Sequence, residues 1–208
     1  MAETQRPRGR PRAFEEETVL QEALELFWKQ GAHNTTLRNL ERALGVNQSS
    51  LYNVFGSKEQ LLSAALDRYE ALTLRAMLEP LEHSADGLEA IRQFFRDLMR
   101  WVDSEGRRGC MLINIMAEDG GATEKIKRRT LDYRLRVKEA LRRALQHAAR
   151  RQETWEAHIE ERTEILFGMV LALNIAARGG APLEELERLM EATEVLIGSW
   201  QLEQPITA

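Results

Sequence analysis

Apolar residues recur at three- and four-residue intervals along most of the chain, and no stretch alternates apolar and polar with the period of a strand. The first stripe, Val19, Leu20, Ala23, Leu24, Leu26 and Phe27, predicts a helix over Glu15 to Gln30 that ends at Gly31. Glu15, Glu16 and Glu17 stand in its first turn, where the helix dipole favours anions. Leu37, Leu40, Ala43 and Leu44 predict a second, short helix stopped by Gly45. Val46 points back inward, and Asn47 is placed to cap a third helix, Gln48 to Phe55, anchored by Leu51 and Phe55. Ser57 and Gln60 have capping-box spacing and open a fourth helix. Leu61, Leu62, Ala65, Leu66, Tyr69, Leu72 and Met77 continue along it until Pro80, which is expected to break it.

Further helices are predicted over Asp86 to Val102, Thr123 to Arg151, Trp155 to Arg178 and Leu183 to Leu202. The first carries Leu88, Ile91, Phe94, Phe95, Leu98 and Trp101. Gly106-Arg107-Arg108-Gly109 follows as a break, and then Cys110 to Met116, apolar apart from Asn114, closed by Gly120-Gly121. Thr123 to Arg151 has Ile126, Leu131, Leu135, Val137, Leu141 and Leu145 as its apolar positions and a basic remainder, read as a solvated face in preference to a second nucleic-acid patch. The last two helices, joined at Gly179-Gly180 with Pro182 in the following turn, read as a hairpin. The fold class is therefore all-α.

Composition narrows the function. At 208 residues and 43% hydrophobic, the chain can bury a sizeable core or two small ones. A net charge of −4 is unlike a general nucleic-acid coat, although a sequence-specific reader needs only a local basic footprint. Cys110 stands alone, which excludes an internal disulfide framework and suits a reducing cytoplasm. The Arg-rich start is followed by no apolar signal region, and the longest apolar run, Ile165 to Ala177, is short for a membrane span and reads as a buried core helix. His33, His83, His147 and His158 lack metal-ligand spacing, and there is no phosphate loop, nucleophile elbow or dinucleotide fingerprint. No catalytic residue, metal or cofactor is expected, and the chain is not read as an enzyme.

The chemistry concentrates between Thr35 and Lys58. Two short helices around a tight turn make a helix-turn-helix, and the second has one greasy seam and a face of Gln, Ser, Tyr and Asn, suited to a major groove. Upstream, Met1 to Ala13 alternates Arg6, Arg8, Arg10 and Arg12 with Pro and Gly, which reads as a flexible basic arm for phosphates or a minor groove. Lys58, beside the orphan N–H groups of the fourth helix, has the makings of a phosphate contact.

Taken together, the Arg-rich arm, the Gly-ended helix, Thr35-Thr36, Leu44-Gly45-Val46, the polar helix with Leu51-Tyr52, Phe55 and Ser57-Lys58-Glu59 resemble the amino-terminal domain of the tetracycline-repressor-like (TetR) family, from roughly Phe14 to Leu62. The resemblance implies a three-helix DNA-binding domain at 14–57 after an arm at 1–13. It also implies a helical effector-binding and dimerisation domain at 58–202 with a tail at 203–208. It places Thr36, Tyr52 and Lys58 on phosphates and Gln48, Ser49 and Asn53 at base edges, with Arg38 flanking them. Ser50, Arg8, Arg10 and Arg12 complete the expected DNA contacts. Ser49 stands where the family commonly has glycine, and Val54 where it has an aromatic residue or His. The implied partners are double-stranded operator DNA, a small-molecule effector and a second copy joined through 155–178 and 183–202, where Ala172, Ala176 and Ala177 allow close approach.

The candidate effector contacts are Trp101, Cys110, Met111, Asn114, Tyr133 and Phe167. Cys110 is either an inert buried thiol or, with Arg107 and Arg108 beside it, a reactive one. Its apolar surroundings also resemble members of the family that respond to electrophiles. Two readings follow: a cytoplasmic regulator, a repressor released from a palindromic operator by a small molecule, or a regulator that senses electrophiles or oxidants through Cys110.

Overall fold

The computed structural model describes residues 12–118, 122–151 and 156–202. Among these residues the regular structure is entirely helical. Residues 1–11, with Arg8 and Arg10, lie outside the described part, as do Gly120, Gly121 and Trp155. The chain divides into two compact units, with the boundary between Tyr69 and Glu70.

The first unit contains α1 (Arg12–Gln30), α2 (Leu37–Leu44), α3 (Gln48–Phe55) and α4 (Lys58–Tyr69). α1 begins at Arg12, three residues before the predicted start. Ala23, Leu24, Phe27 and Trp28 of α1 are buried, as are Leu61, Leu62, Ala65, Leu66 and Tyr69 of α4. Trp28 meets Tyr69 edge to face with ring centroids 5.2 Å apart, and Arg68 Nε donates to Gln21 Oε1 at 2.6 Å. Leu40, Leu44 and Leu51 close the core from α2 and α3. Ala43 is exposed and Phe55 half-buried, so they contribute less to it than the spacing predicts.

The second unit opens with a π-helical turn, Glu70–Leu74, that leads into α5 (Arg75–His83). Two expectations are corrected here. Leu72 does not continue the apolar stripe: it is exposed, and Leu74, Leu78 and Leu81 are buried instead. The wider turn holds more residues than an α turn and so rotates the buried face forward along the chain. Pro80 does not break the helix, which runs on to His83, where the N–H of Ser84 donates to the Pro80 carbonyl. A proline removes one ladder donor; the carbonyl thus released belongs to Ala76, an exposed residue.

α6 (Leu88–Ser104), α7 (Met111–Ala117), α8 (Glu124–Arg150), α9 (Ile159–Arg178) and α10 (Leu183–Leu202) complete this unit, with a short 3₁₀ turn, Glu156–His158, before α9. The core gathers Ile91, Phe95, Leu112, Val137, Leu141, Leu145, Leu166, Leu173, Leu186 and Ile197. Leu131 and Leu135 of α8, expected on the apolar seam, are exposed, while Thr130, Tyr133 and Val137 are buried. The helix turns its Tyr133 side inward and leaves that pair outside. Many basic residues of α8 are paired with acids: Arg129 with Glu70, Arg136 with Glu82, Lys138 with Glu164, and Arg142 and Arg143 with Glu139. This agrees with a charged, solvated face.

α9 is not buried all round, contrary to the reading of Ile165 to Ala177 as a core helix. Leu166, Phe167, Val170, Leu173, Asn174 and Ala177 face the core, but Ile165, Gly168 and Ile175 are exposed and Ala172 and Ala176 half-buried. On α10, Val195 is 73% exposed. The apolar run has two greasy faces, and only one is covered within the protomer.

Candidate functional sites

The first unit displays α3 between two locally fixed ends. Thr36 and Asn39 form a reciprocal cap on α2: the Asn39 N–H donates to Thr36 Oγ1 at 3.1 Å, and the Thr36 N–H donates to Asn39 Oδ1 at 2.9 Å. Gly45 ends α2 at φ +64, a left-handed conformation that costs a side-chain-bearing residue energy. Asn47 Oδ1 then accepts from the Ser50 N–H at 2.8 Å and caps α3. After α3, Ser57 and Gln60 form the expected capping box, with the Gln60 N–H donating to Ser57 Oγ at 3.1 Å and the Ser57 N–H to Gln60 Oε1 at 2.8 Å.

Leu51 is the buried anchor of α3, leaving Ser49, Tyr52, Asn53 and Val54 exposed, with Tyr52 at 50%. Gln48 and Ser50 are half-buried, and Thr36 and Arg38 are exposed. The candidate base readers are not equally free. Gln48 Nε2 donates to Glu41 Oε2 at 3.0 Å and ties α3 to α2, and the Ser49 hydroxyl donates to Asn47 Oδ1 at 2.7 Å. Lys58 Nζ donates to the His33 carbonyl at 3.3 Å, so its ammonium is held near the α4 N-terminus. Arg12 is the first residue of α1.

The second unit contains a cavity of ≈ 20 Å³, room for about one water molecule. Its walls come from the π turn, α5, α6, α8, α9 and the start of α7, and among them are Trp101, Cys110 and Tyr133, three of the six residues singled out from sequence. The other three lie elsewhere. Met111 is buried in the core, and Asn114 is buried with Nδ2 donating to the Arg108 carbonyl at 2.9 Å. Phe167 carries Lys138 Nζ at 5.3 Å and the Arg134 guanidinium at 5.9 Å over its ring. Sequence reasoning missed Thr73, Leu74, Met77, Phe94, Leu98 and Val170 as cavity residues. Their helical spacing marks a buried face, and nothing in it tells a packed position from one beside a void.

Cys110 is 2% exposed and stands at the N-cap of α7, with its thiol donating to Tyr133 Oη at 3.5 Å. Arg107 and Arg108, expected to act on the thiol, are turned to other partners. Arg108 bonds the Glu105 carboxylate at 2.9 Å and its carbonyl at 3.0 Å, and Arg107 reaches Asp103 and the Ala181 carbonyl. Burial pushes the Tyr133 phenol well above its ordinary pKa, and the adjacent Cys110 pushes the same way, so the phenol stays protonated and neutral. Among the described residues, no group of three or more His, Cys, Asp or Glu side chains is placed to hold a metal ion, and no helix is long and apolar enough to cross a membrane.

Comparison with known proteins agrees with this architecture in both units. Residues 19–65 match the profile of bacterial regulatory proteins of the tetR family, and residues 87–193 match the tetracyclin repressor-like C-terminal domain. The chain is 29% identical to the HTH-type transcriptional repressor ComR of Escherichia coli over 194 residues, 89% of this chain and 90% of ComR. It is 33% identical over 109 residues to the HTH-type transcriptional repressor BdcR of Escherichia coli, covering 50% of this chain and 54% of BdcR. Among solved structures, a cysteine-substituted form of the TetR family transcriptional regulator CifR, complexed with 26-base-pair double-strand operator DNA, superposes with a TM-score of 0.78. That match has 25% identity and covers 92% of this chain and 100% of CifR. Both halves of the chain thus match the same family, and the chain belongs to the tetR family of bacterial regulatory proteins.

Proposed function

We propose that this protein is a homodimeric, cytoplasmic transcriptional repressor that binds a two-fold symmetric operator and leaves it when a small molecule enters the second unit. The observation that carries the reading is the capped α3, which holds Leu51 in the core and turns Ser49, Tyr52 and Asn53 outward as an uncharged hydrogen-bonding face. Tyr52, Thr36 and Lys58 are assigned to phosphates, Gln48, Ser49 and Asn53 to base edges, and Arg38 and Ser50 to their flanks. The arginine arm tracks the backbone. The operator complex of CifR and the repressor role of ComR support the assignment by likeness.

The uncovered faces of α9 and α10 support pairing between two copies. Ile165, Ile175 and Val195 are exposed, and a Cβ added at Gly168 or Gly198 would meet nothing within 4 Å. A two-fold axis there makes a four-helix bundle and supplies two α3 helices per assembly, which operator binding requires one helical repeat of DNA apart. An effector that prefers a different separation weakens operator binding by linkage. The test is selection of bound sequences from random DNA, followed by sedimentation of the protein. A palindromic motif and a dimer are expected; an asymmetric single site bound by a monomer would refute the reading.

A second reading, in which Cys110 is the sensor, is favoured by the position of its thiol on the cavity wall beside Tyr133. An activated alkene entering there would form a C–S bond at its β-carbon, with the thiol proton ending on the α-carbon. Cys110→Ser should then abolish the response to such electrophiles while operator binding survives; a full response from the Ser variant excludes it.

A further inference from the structure

The walls of the cavity carry more information than its volume. No lining residue is charged; the polar side-chain groups are the Thr73 hydroxyl, the Trp101 indole N–H, the Cys110 thiol and the Tyr133 phenol, set among Met77, Phe94 and Leu98. We propose that the cavity takes a small, uncharged, largely apolar molecule with one hydrogen-bonding oxygen, and that Tyr133 is the residue that recognises that oxygen. This rests on the reading of the second unit as the effector unit.

Three observations converge on it. First, an anion or cation placed here would lose its hydration with no counter-charge on the walls, and an unpaired buried charge costs several kcal/mol. Second, Tyr133 is buried, and its hydroxyl accepts from the Cys110 thiol, a weak donor, at 3.5 Å, a contact that an oxygen ligand replaces with a stronger bond. Because the phenol stays protonated, it offers a donor at every physiological pH. Third, three lining residues are half-buried, Thr73, Met77 and Trp101, while the rest are buried. They mark the side on which the cavity opens. Met77 is unbranched and adapts to new shapes, and Trp101 offers a ring face to a flat ligand. With only ≈ 20 Å³ preformed, the ligand must displace these side chains, and its affinity is reduced by the opening it drives.

The experiment uses three molecules of similar size, acetophenone, ethylbenzene and benzoate, titrated into the full chain with calorimetry and tryptophan fluorescence. Acetophenone should bind about fivefold to tenfold more tightly than ethylbenzene, the difference being one hydrogen bond. Benzoate should bind at least about a hundredfold more weakly than acetophenone. Tyr133→Phe should lower acetophenone to the level of ethylbenzene and leave ethylbenzene within about twofold. Trp101→Phe should remove the fluorescence change, and Leu98→Phe, which fills the cavity, should abolish binding of both neutral molecules. Should Tyr133→Phe fail to fold, the acetophenone-to-ethylbenzene ratio in the native chain still decides the ligand class; the ratio should survive Thr73→Val and Trp101→Phe, and its loss in either would overturn the role of Tyr133.

Benzoate binding as tight as acetophenone, lost in Leu98→Phe, would overturn the uncharged class and leave the cavity as the ligand site. Equal affinity for acetophenone and ethylbenzene would overturn the role of Tyr133. No binding by any of the three, or binding untouched by Leu98→Phe, would overturn the assignment of the cavity itself. Tight acetophenone binding with unchanged operator affinity would uphold the ligand class and refute the effector reading on which it was built.

Discussion

Asn174, buried in α9, accepts through Oδ1 a 2.6 Å hydrogen bond from the backbone N–H of Cys110. Its Nδ2 donates to the Val170 carbonyl at 2.7 Å, and both Cys110 and Val170 border the cavity. One amide thus fastens the start of α7 to the helix whose other face is uncovered. Replacing it with Leu leaves the Cys110 N–H without that acceptor in a buried place. Asn174→Leu should destabilise the protein by about 1–3 kcal/mol, read as a lower urea midpoint. A loss below about 0.5 kcal/mol would mean that the N–H is satisfied by another group.

The same junction makes Gly109 special. Its φ is +67, and a Cβ there would sit 2.6 Å from the Asn174 carbonyl oxygen, a backbone atom that cannot swing aside. Gly106, three residues earlier, has φ +66 and nothing within 4 Å of an added Cβ. Gly106→Ala should cost about 1–2 kcal/mol from conformation alone. Gly109→Ala carries the same term plus the steric clash, so its loss in thermal midpoint should be clearly the larger. Equal losses would show that the loop moves away from α9 freely.

The parts of this structure that were legible in the sequence are those set by neighbours in the chain. Gly45, Asn47 and the Ser57–Gln60 pair act within one turn, and each does what its residue type predicts. Leu72 escapes a reading by spacing because the π turn at Glu70–Leu74 leaves no distinct pattern in EALTL, and Pro80 stays inside α5 at a place where the residue four before it, Ala76, is exposed. Leu131 and Leu135 have helical spacing yet face outward, because α8 packs through Tyr133 and Val137. The cavity was half legible. Trp101, Cys110 and Tyr133 stood out as chemically distinctive, whereas Met77, Leu98 and Val170 resemble any other core residue until packing leaves a gap beside them.

The DNA-reading assignment separates two kinds of residue that stability measurements can tell apart. Asn47 is a cap, and Asn47→Ala should lower stability by about 1 kcal/mol and weaken operator binding as well, because α3 frays. The Tyr52 ring is half exposed, and its hydroxyl is assigned to a phosphate. Tyr52→Phe should leave the urea midpoint unchanged and weaken binding to all sequences alike. A stability loss in Tyr52→Phe comparable to that of Asn47→Ala would make Tyr52 a structural residue.

Acid stability should depend on the link between α5 and α8. Arg136 donates to Glu82 twice, Nε to Oε1 at 2.6 Å and Nη2 to Oε2 at 2.8 Å. The hydrogen bond from Arg136 holds the Glu82 carboxyl below the usual carboxylate range, against a smaller opposing effect of burial, and Glu82 in turn raises the pKa of Arg136. The folded protein therefore protonates Glu82 less readily than the unfolded chain does. The resulting stabilisation is fully present above the unfolded carboxylate pKa and is lost as pH falls through that value and then the lower folded one. With the Arg136 side chain 45% exposed, solvent screening limits the pair to about 0.5–1 kcal/mol. Glu82→Gln should be less stable than the native chain by that amount at pH 7, and the gap should close as pH is lowered from about 5 toward 3. Urea midpoints of the two proteins across that range provide the measurement. A gap that stays constant with pH would assign the effect of the substitution to packing and remove charge pairing as its cause.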